Sequence, residues 1–309
     1  MNMSAISFLW LVLSETRRNI KGSITSYFWF IILVLISTYS LFFEKYVDMS
    51  IDRSLMTLKT VNNPMADILS FVTSFAINSA SDVLSGKVPA MVFPVSVGII
   101  FFILFPMLLG LTMMSHFIIN KASTSIVGDD EKKTLFILAI SPLKRSSIYI
   151  GKFIGIFLLA LPMILFLYII SQWVFSSLFS AAPDLSALVL ETSLLITFLF
   201  ISFGMLISVL NKNEKTASWL GTKLVAFTAL LTTLWILIPF IEFLLNLTNN
   251  NSEFLLLLEK ITWLSPFTLG LMYVYVPSVN VGNFSLLIVT SVIFLFVGMV
   301  AFIRKDIEI

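Results

Sequence analysis

The chain has 309 residues, of which 58% are hydrophobic and 12% charged, with 30 Phe, a mean hydropathy of +1.02 and a formal net charge of +2. A soluble domain carries about a quarter charged residues, so this composition excludes a soluble globular enzyme and a disordered chain and describes a polytopic membrane protein. At about 20 apolar residues per helical span, six spans leave room for short loops and for no independent soluble catalytic domain.

At the start, Ala5–Leu13 is apolar, with no positive charge before it and Arg17, Arg18 and Lys21 after it. That order is unlike a cleaved signal, and the segment is read as retained. Six long apolar runs follow, predicting an all-α polytopic fold with spans at Ser26–Phe43, Val92–Ile119, Ile150–Phe175, Leu188–Leu210, Ala217–Leu244 and Phe284–Ile303. The second run is about 28 residues long, more than a bilayer needs, so it tilts or projects. Pro94 and Pro106 in that run, and Pro162 in the next, each remove a helical hydrogen bond, which neighbouring helices tolerate in a membrane.

Two segments between spans exceed plain turns. In residues 45–91, Met65, Ile68, Leu69, Val72, Phe75 and Ala76 recur at helical spacing and predict a helix with one apolar face on the membrane surface or the neighbouring spans. In residues 245–283, the apolar stretches Phe254–Leu258 and Trp263–Tyr275 are broken by Lys260, Pro266, Gly270 and Pro277. Short or re-entrant helices are expected there rather than a seventh span. The triplets beginning at Asn246, Asn250 and Asn283 fit a glycosylation acceptor, but an Asn-rich stretch produces such matches by chance. No internal repeat is visible, so nothing points to an inverted-repeat transporter.

Lys and Arg are distributed unevenly about these spans. Arg17, Arg18, Lys21, Lys121, Lys132, Lys133, Lys144, Arg145, Lys152, Lys212, Lys215, Lys223, Arg304 and Lys305 fall on one side, while Lys45, Arg53, Lys59, Lys87 and Lys260 fall on the other. The excess places both termini and the loop at 121–149 in the cytoplasm.

The chain is poor in groups for catalysis. With no Cys there is no disulfide, thiolate nucleophile or cysteine metal site. His116, the one histidine, has no metal-ligand spacing to a carboxylate and reads as a helix-end residue. Asp129, Asp130 and Glu131, followed by Lys132 and Lys133, read as the acidic first turn of a helix favoured by its dipole rather than as a metal site. Gly151-Lys152 is followed by Phe153, and Gly86-Lys87 by Val88, so no phosphate-binding loop is present. Lys223, Glu191 and Glu242 lie near span ends, where snorkelling to the interface is cheap.

The informative segment is the loop Asn120–Lys152. Its acidic start, apolar turn Leu135-Phe136-Ile137-Leu138-Ala139, Ser141-Pro142 break, basic pair Lys144-Arg145 and short helix into the next span make an amphipathic knuckle. Its apolar residues are suited to filling a partner's cleft, and its charges to fixing orientation. Glu131, Lys132, Thr134, Leu135, Leu138, Ser141, Pro142, Arg145, Gly151 and Lys152 follow the order seen in the first cytoplasmic loop of the type-2 permeases of ABC exporters, with Lys133 where Gly is usual and Phe136 where Glu is common. The Leu264-Ser265-Pro266-Phe267 quartet and the closing Phe302-Ile303-Arg304-Lys305-Asp306 add weaker matches. The chain thus resembles that family, which has a type V exporter-like fold.

The resemblance implies one transmembrane permease domain over 1–309, with 1–22 an interfacial connecting helix. It implies coupling to separate nucleotide-binding ATPase subunits through Asp129, Asp130, Glu131, Lys132, Thr134, Leu135, Leu138, Ser141, Pro142 and Arg145. It also implies a second permease, as homo- or heterodimer, with ATP and Mg on the ATPase and no cofactor in this chain. Two other classes are weighed: a related complex doing mechanical work on a partner instead of exporting solute, and a polytopic lipid-modifying enzyme, for which a clustered His, Asp, Glu or Ser constellation is wanting. A Phe-, Leu- and Met-rich interior favours an amphipathic, lipid-like or hydrophobic-peptide cargo over a small ion.

Overall fold

The structure is a computed structural model that describes residues 3–21, 23–38, 93–139, 143–178, 182–247, 253–275 and 281–305. The helix expected at Met65–Ala76, the acceptor triplet at Asn250, and Ser141 and Pro142 lie outside these residues. Among the described residues the chain is helix and turn, without strands. Apolar runs in lipid have no water to satisfy backbone groups, and an α-helix satisfies them within the segment.

The elements in chain order are α1 (Met3–Lys21), α2 (Ile24–Thr38), α3 (Phe93–Thr124), α4 (Val127–Glu131), α5 (Thr134–Ala139) and α6 (Arg145–Leu178). They continue with α7 (Ala182–Leu210), α8 (Glu214–Leu247), α9 (Glu253–Thr262), α10 (Pro266–Tyr275) and α11 (Val281–Arg304). Among the described residues four helices, α6, α7, α8 and α11, are long and apolar enough to cross a membrane; α1 and α2, bent by 63° at the break between them, make a fifth such unit if taken as one. The central α3 is 32 residues long. The protein is therefore a multi-pass membrane protein.

α7 is the axis of the bundle. It packs against α3, α6, α10 and α11, and 67% of its apolar window is buried against 22% for the peripheral α11. Its sequence explains this position, because Thr192, Ser193, Thr197, Ser202 and Ser208 are buried small residues that let neighbours approach closely. Two return their hydroxyls to their own helix, Ser193 to the Val189 carbonyl at 2.7 Å and Ser202 to that of Phe198 at 2.8 Å, so these two cost no unsatisfied donor. Around this axis Leu111 and Met114 of α3, Ile156 and Met163 of α6, and Phe200 of α7 form one core. Phe267 of α10 joins it with its ring 5.4 Å from that of Phe200.

Pro162 is accommodated inside α6, which runs through it unbroken. One residue from the carbonyl that loses its helical donor there, the Leu159 oxygen accepts the Tyr27 hydroxyl at 2.5 Å. That bond ties α2 to α6.

The pair α9–α10 turns at Ser265, whose hydroxyl donates to the Thr228 carbonyl at 2.8 Å and lies 2.7 Å from the Thr232 hydroxyl. Thr268 donates to Thr232 at 3.0 Å. Thr228 is about 21 Å along α8 at 1.5 Å per residue, so the α9–α10 turn meets α8 near its middle rather than at its end. Pro266 occupies the first position of α10, where its missing N–H leaves no helical bond unmade.

Candidate functional site: a buried charge hub beneath the first loop

The loop predicted at 121–149 is shorter than its sequence boundaries. Lys121–Thr124 continue α3, and Arg145–Tyr149 begin α6. Between them, α4 and α5 form a compact knuckle. The Ser208 hydroxyl of α7 accepts from the backbone N–H of Ile126 at 2.9 Å and of Val127 at 3.0 Å. These bonds satisfy donors that the start of a helix leaves free and seat α4 on α7. Thr134 closes the knuckle by donating its hydroxyl to the Asp129 carbonyl at 3.1 Å.

Beneath the knuckle lies a set of four charged side chains from three separate parts of the chain. The Asp129 carboxylate, 3% exposed, pairs through one oxygen with the ammonium of Lys152 and through the other with Arg18 Nη1 at 2.9 Å. Lys152 is 0% exposed and donates also to the Ser125 carbonyl at 2.8 Å. Its Nζ is 3.6 Å from Glu15 Oε1, and Glu15 accepts from Arg18 Nη2 at 2.8 Å. Two acids and two bases cancel. A single buried ion carries a desolvation penalty of several kcal/mol, which partners and additional hydrogen bonds offset. Burial disfavours the Asp129 anion, but Lys152 and Arg18 outweigh it and hold the carboxyl below its ordinary value of 3.8.

α1 reaches this hub because α6 is bare where they cross. A Cβ on Gly151 would lie 2.7 Å from Leu11 Cδ2, and one on Gly155 3.1 Å from Glu15 Cγ. The Gly-x-x-x-Gly spacing puts both on one face of α6, and α1 lies in that trough.

Further contacts join the knuckle to the remaining helix ends. Asp130 pairs with Lys305, just beyond α11, at 2.7 Å. Glu131 Oε1 accepts the backbone N–H of Glu214 at 2.7 Å, capping α8, and Lys132 lies 3.7 Å from the Glu214 carboxylate. Arg145 Nη1 donates to the carbonyls of Ile303 at 3.0 Å and Lys305 at 2.9 Å, closing the C-terminal turn of α11. The knuckle and its flanking Arg145 and Lys152 are thus bonded to α1, α7, α8 and the end of α11 as well as to α6.

One expectation is corrected. Leu135, expected to enter a partner's cleft, is 1% exposed and lies in the chain's own core, and Leu138 packs against that core; the apolar face of so short a loop is needed to hold it to the bundle. Asp129 and Asp130 stand in the first turn of α4, as the acidic triplet predicts, and the Asp129 anion is in addition bonded to Lys152 and Arg18. Of the other expected residues, Asp130, Glu131, Lys132, Thr134 and Arg145 make the contacts given above. His116 is half-buried on α3. Lys223 sits 5.7 Å over the Trp219 ring, an exposed cation–π pair.

Glu15, Arg18, Ser125, Lys152 and Ser208 were not foreseen as site residues. A lysine inside an otherwise apolar helix is a signal in its own right, and so is Glu15–Arg18 at helical spacing in an apolar segment. Nothing local marks Ser125 or Ser208.

An all-helical, multi-pass bundle whose charged loop grips its helix ends defines a membrane protein. The chain belongs to the ABC-2 transporter family: the family model described as ABC-2 family transporter protein matches residues 9–307. Comparison with curated proteins finds no match. Permeases of this family are membrane transport subunits that work with ATP-binding subunits.

Proposed function

We propose that the chain is the permease subunit of an ATP-driven exporter in the plasma membrane, with both termini cytoplasmic. Its six spans are α2, α3, α6, α7, α8 and α11. α1 lies in the interface, with Leu9, Trp10 and Leu13 outward and Glu15 inward. A second permease completes the path, and two ATPase subunits carry ATP and Mg; this chain takes no cofactor. The cargo is amphipathic or lipid-like, in keeping with the apolar core.

The observation that carries this reading is the knuckle bonded to the ends of so many helices. A push on α4–α5 is transmitted through Asp129–Lys152 to α6, through Arg18 to α1, through Glu131 to α8 and through Asp130–Lys305 to α11. Coupling needs an element whose rearrangement both sites bias, and a stiff, charge-locked loop is suited to carry it.

The test reconstitutes the permease with the ATP-binding subunit that co-purifies with it and measures ATP hydrolysis and export of a fluorescent amphipathic cargo in parallel. Glu131→Ala, which removes the acceptor for the Glu214 N–H at the start of α8, is expected to leave hydrolysis running while export falls. Export unchanged from wild type would overturn the coupling role.

A further inference from the structure

We propose that the outward face of α1 holds an anionic phospholipid, with Arg17 on the headgroup phosphate, and that the bound lipid steadies the first loop through Arg18. The inference rests on the placing of α1 in the interface and adds the class of lipid and the residue that selects it.

α1 has two opposed faces. Leu11 and Glu15 turn into the bundle, one against Gly151 and the other against Gly155 of α6. On the other side Ile6, Leu9, Trp10, Leu13, Arg17 and Ile20 fall within about 100° of one another around the helix axis. All six are exposed, Trp10 at 69%. Arg17 is the charged member of this apolar stripe, set between Leu13 and Ile20.

The stripe lies at headgroup depth. α1 is bent 63° from α2 and so runs more across that helix than along it. The exposed apolar surface continues onto α2 through Ile24 and Phe28, and the Trp29 ring lies 6.1 Å from that of Phe28. Phe28 and Trp29 are only about 6–8 Å along α2 from its first residue, and aromatic rings gather at the membrane–water boundary. A face continuous with that of a spanning helix meets lipid before it meets a soluble subunit.

Arg17 has no ion-pair or hydrogen-bond partner among the described residues, whereas Arg18 beside it is committed to Asp129 at 2.9 Å and Glu15 at 2.8 Å. A guanidinium offers a planar fork of N–H donors that fits two phosphate oxygens. A choline headgroup brings its own ammonium to that phosphate. A glycerol headgroup does not, so an unpaired cation selects the anionic lipid. Consecutive arginines then face opposite ways, one on the bilayer and one on the loop. A lipid that fixes Arg17 limits the play of Arg18 against Asp129.

The experiment places the full-length permease in phosphatidylcholine nanodiscs containing a minor fraction of phosphatidylglycerol, with brominated acyl chains on one lipid or the other. The difference in emission between wild type and Trp10→Phe isolates Trp10. Quenching per lipid molecule is expected to favour phosphatidylglycerol about fivefold. Arg17→Gln should remove the preference while phosphatidylcholine still quenches, and Arg17→Lys should keep it. Equal quenching by both lipids in wild type overturns this inference and leaves α1 in the interface. Trp10 shielded from both lipids overturns both readings and assigns the face to protein. Soluble glycerol phosphate that abolishes the preference assigns Arg17 to a free anion and also overturns the proposal.

Hydrogen–deuterium exchange over residues 125–133 in the same nanodiscs tests the link to the loop. Phosphatidylglycerol is expected to slow exchange there in wild type and to leave it unchanged in Arg17→Gln. Exchange in wild type that ignores the anionic lipid overturns the steadying role.

Discussion

The wholly buried ammonium of Lys152 on α6 is bonded to the carboxylate of Asp129 in the first loop, 23 residues earlier in the chain. Around this pair the buried Glu15 and the exposed Arg18 close a neutral set, so the centre of the anchor is a buried ion pair rather than a surface salt bridge worth less than about 1 kcal/mol.

Breaking this pair from one side leaves the other ion buried. Lys152→Met is expected to destabilise the protein by about 3 kcal/mol or more, read as thermal unfolding of the purified protein in detergent. The double change Asp129→Asn with Lys152→Met should recover part of that loss, because no unpaired anion remains. A double variant worse than the sum of the two single changes would argue against the pairing.

The same anchor has a definite response to acid. Asp129 titrates lower in the folded protein than its ordinary 3.8, so the folded state binds fewer protons there than the unfolded chain. Its contribution is present above the unfolded value and disappears as pH falls through the lower folded value. The melting-temperature gap between wild type and Asp129→Asn should stay constant from neutral pH to about 5 and close only below 3.8. A gap that closes near neutral pH would show that Asp129 is not held as the anion.

Leu135 and Lys132 should fail in different ways. Leu135→Ala removes a core side chain and should cost about 2–5 kcal/mol of stability. Lys132→Glu, on the exposed side of the same turn, should leave the stability within about 1 kcal/mol of wild type and act on subunit affinity. Melting curves and subunit titration on the two variants check this, and a stable Leu135→Ala would return that residue to the docking face.

The hydroxyl cluster at the α9–α10 turn can be tested separately. Ser265→Ala removes the donor to Thr228 and the contact with Thr232, and each such bond between membrane helices is worth about 0.5–2 kcal/mol. Faster proteolysis between α9 and α10 in that variant, with the rest of the bundle protected, is the expected outcome. Equal protection in both proteins would count against the latch.

Much of the bundle could be read directly. The runs that became α6, α7, α8 and α11 are local features, since twenty apolar residues in lipid have no alternative to a helix. The helix ends were less legible: α6 begins at Arg145, five residues before the expected span, because a helix continues past the membrane wherever loop contacts hold its first turn. The loop was located by its residue order, yet which of its side chains face inward was not visible. Leu135 has the same pattern in sequence whether it fills a partner's cleft or its own core.

What the sequence by itself determined is therefore the class: an all-helical membrane chain whose basic residues are densest around one loop. Those properties depend on composition and spacing within single segments. The partner of Lys152, the reach of Arg18 to Asp129 across 111 residues, and the inward turn of Leu135 were decided only by the tertiary structure. The physical reason is that burial makes a charge choose its partner, and that choice depends on which helices can approach. Here Gly151 and Gly155 leave the space in which α1 brings Glu15 and Arg18 to the loop.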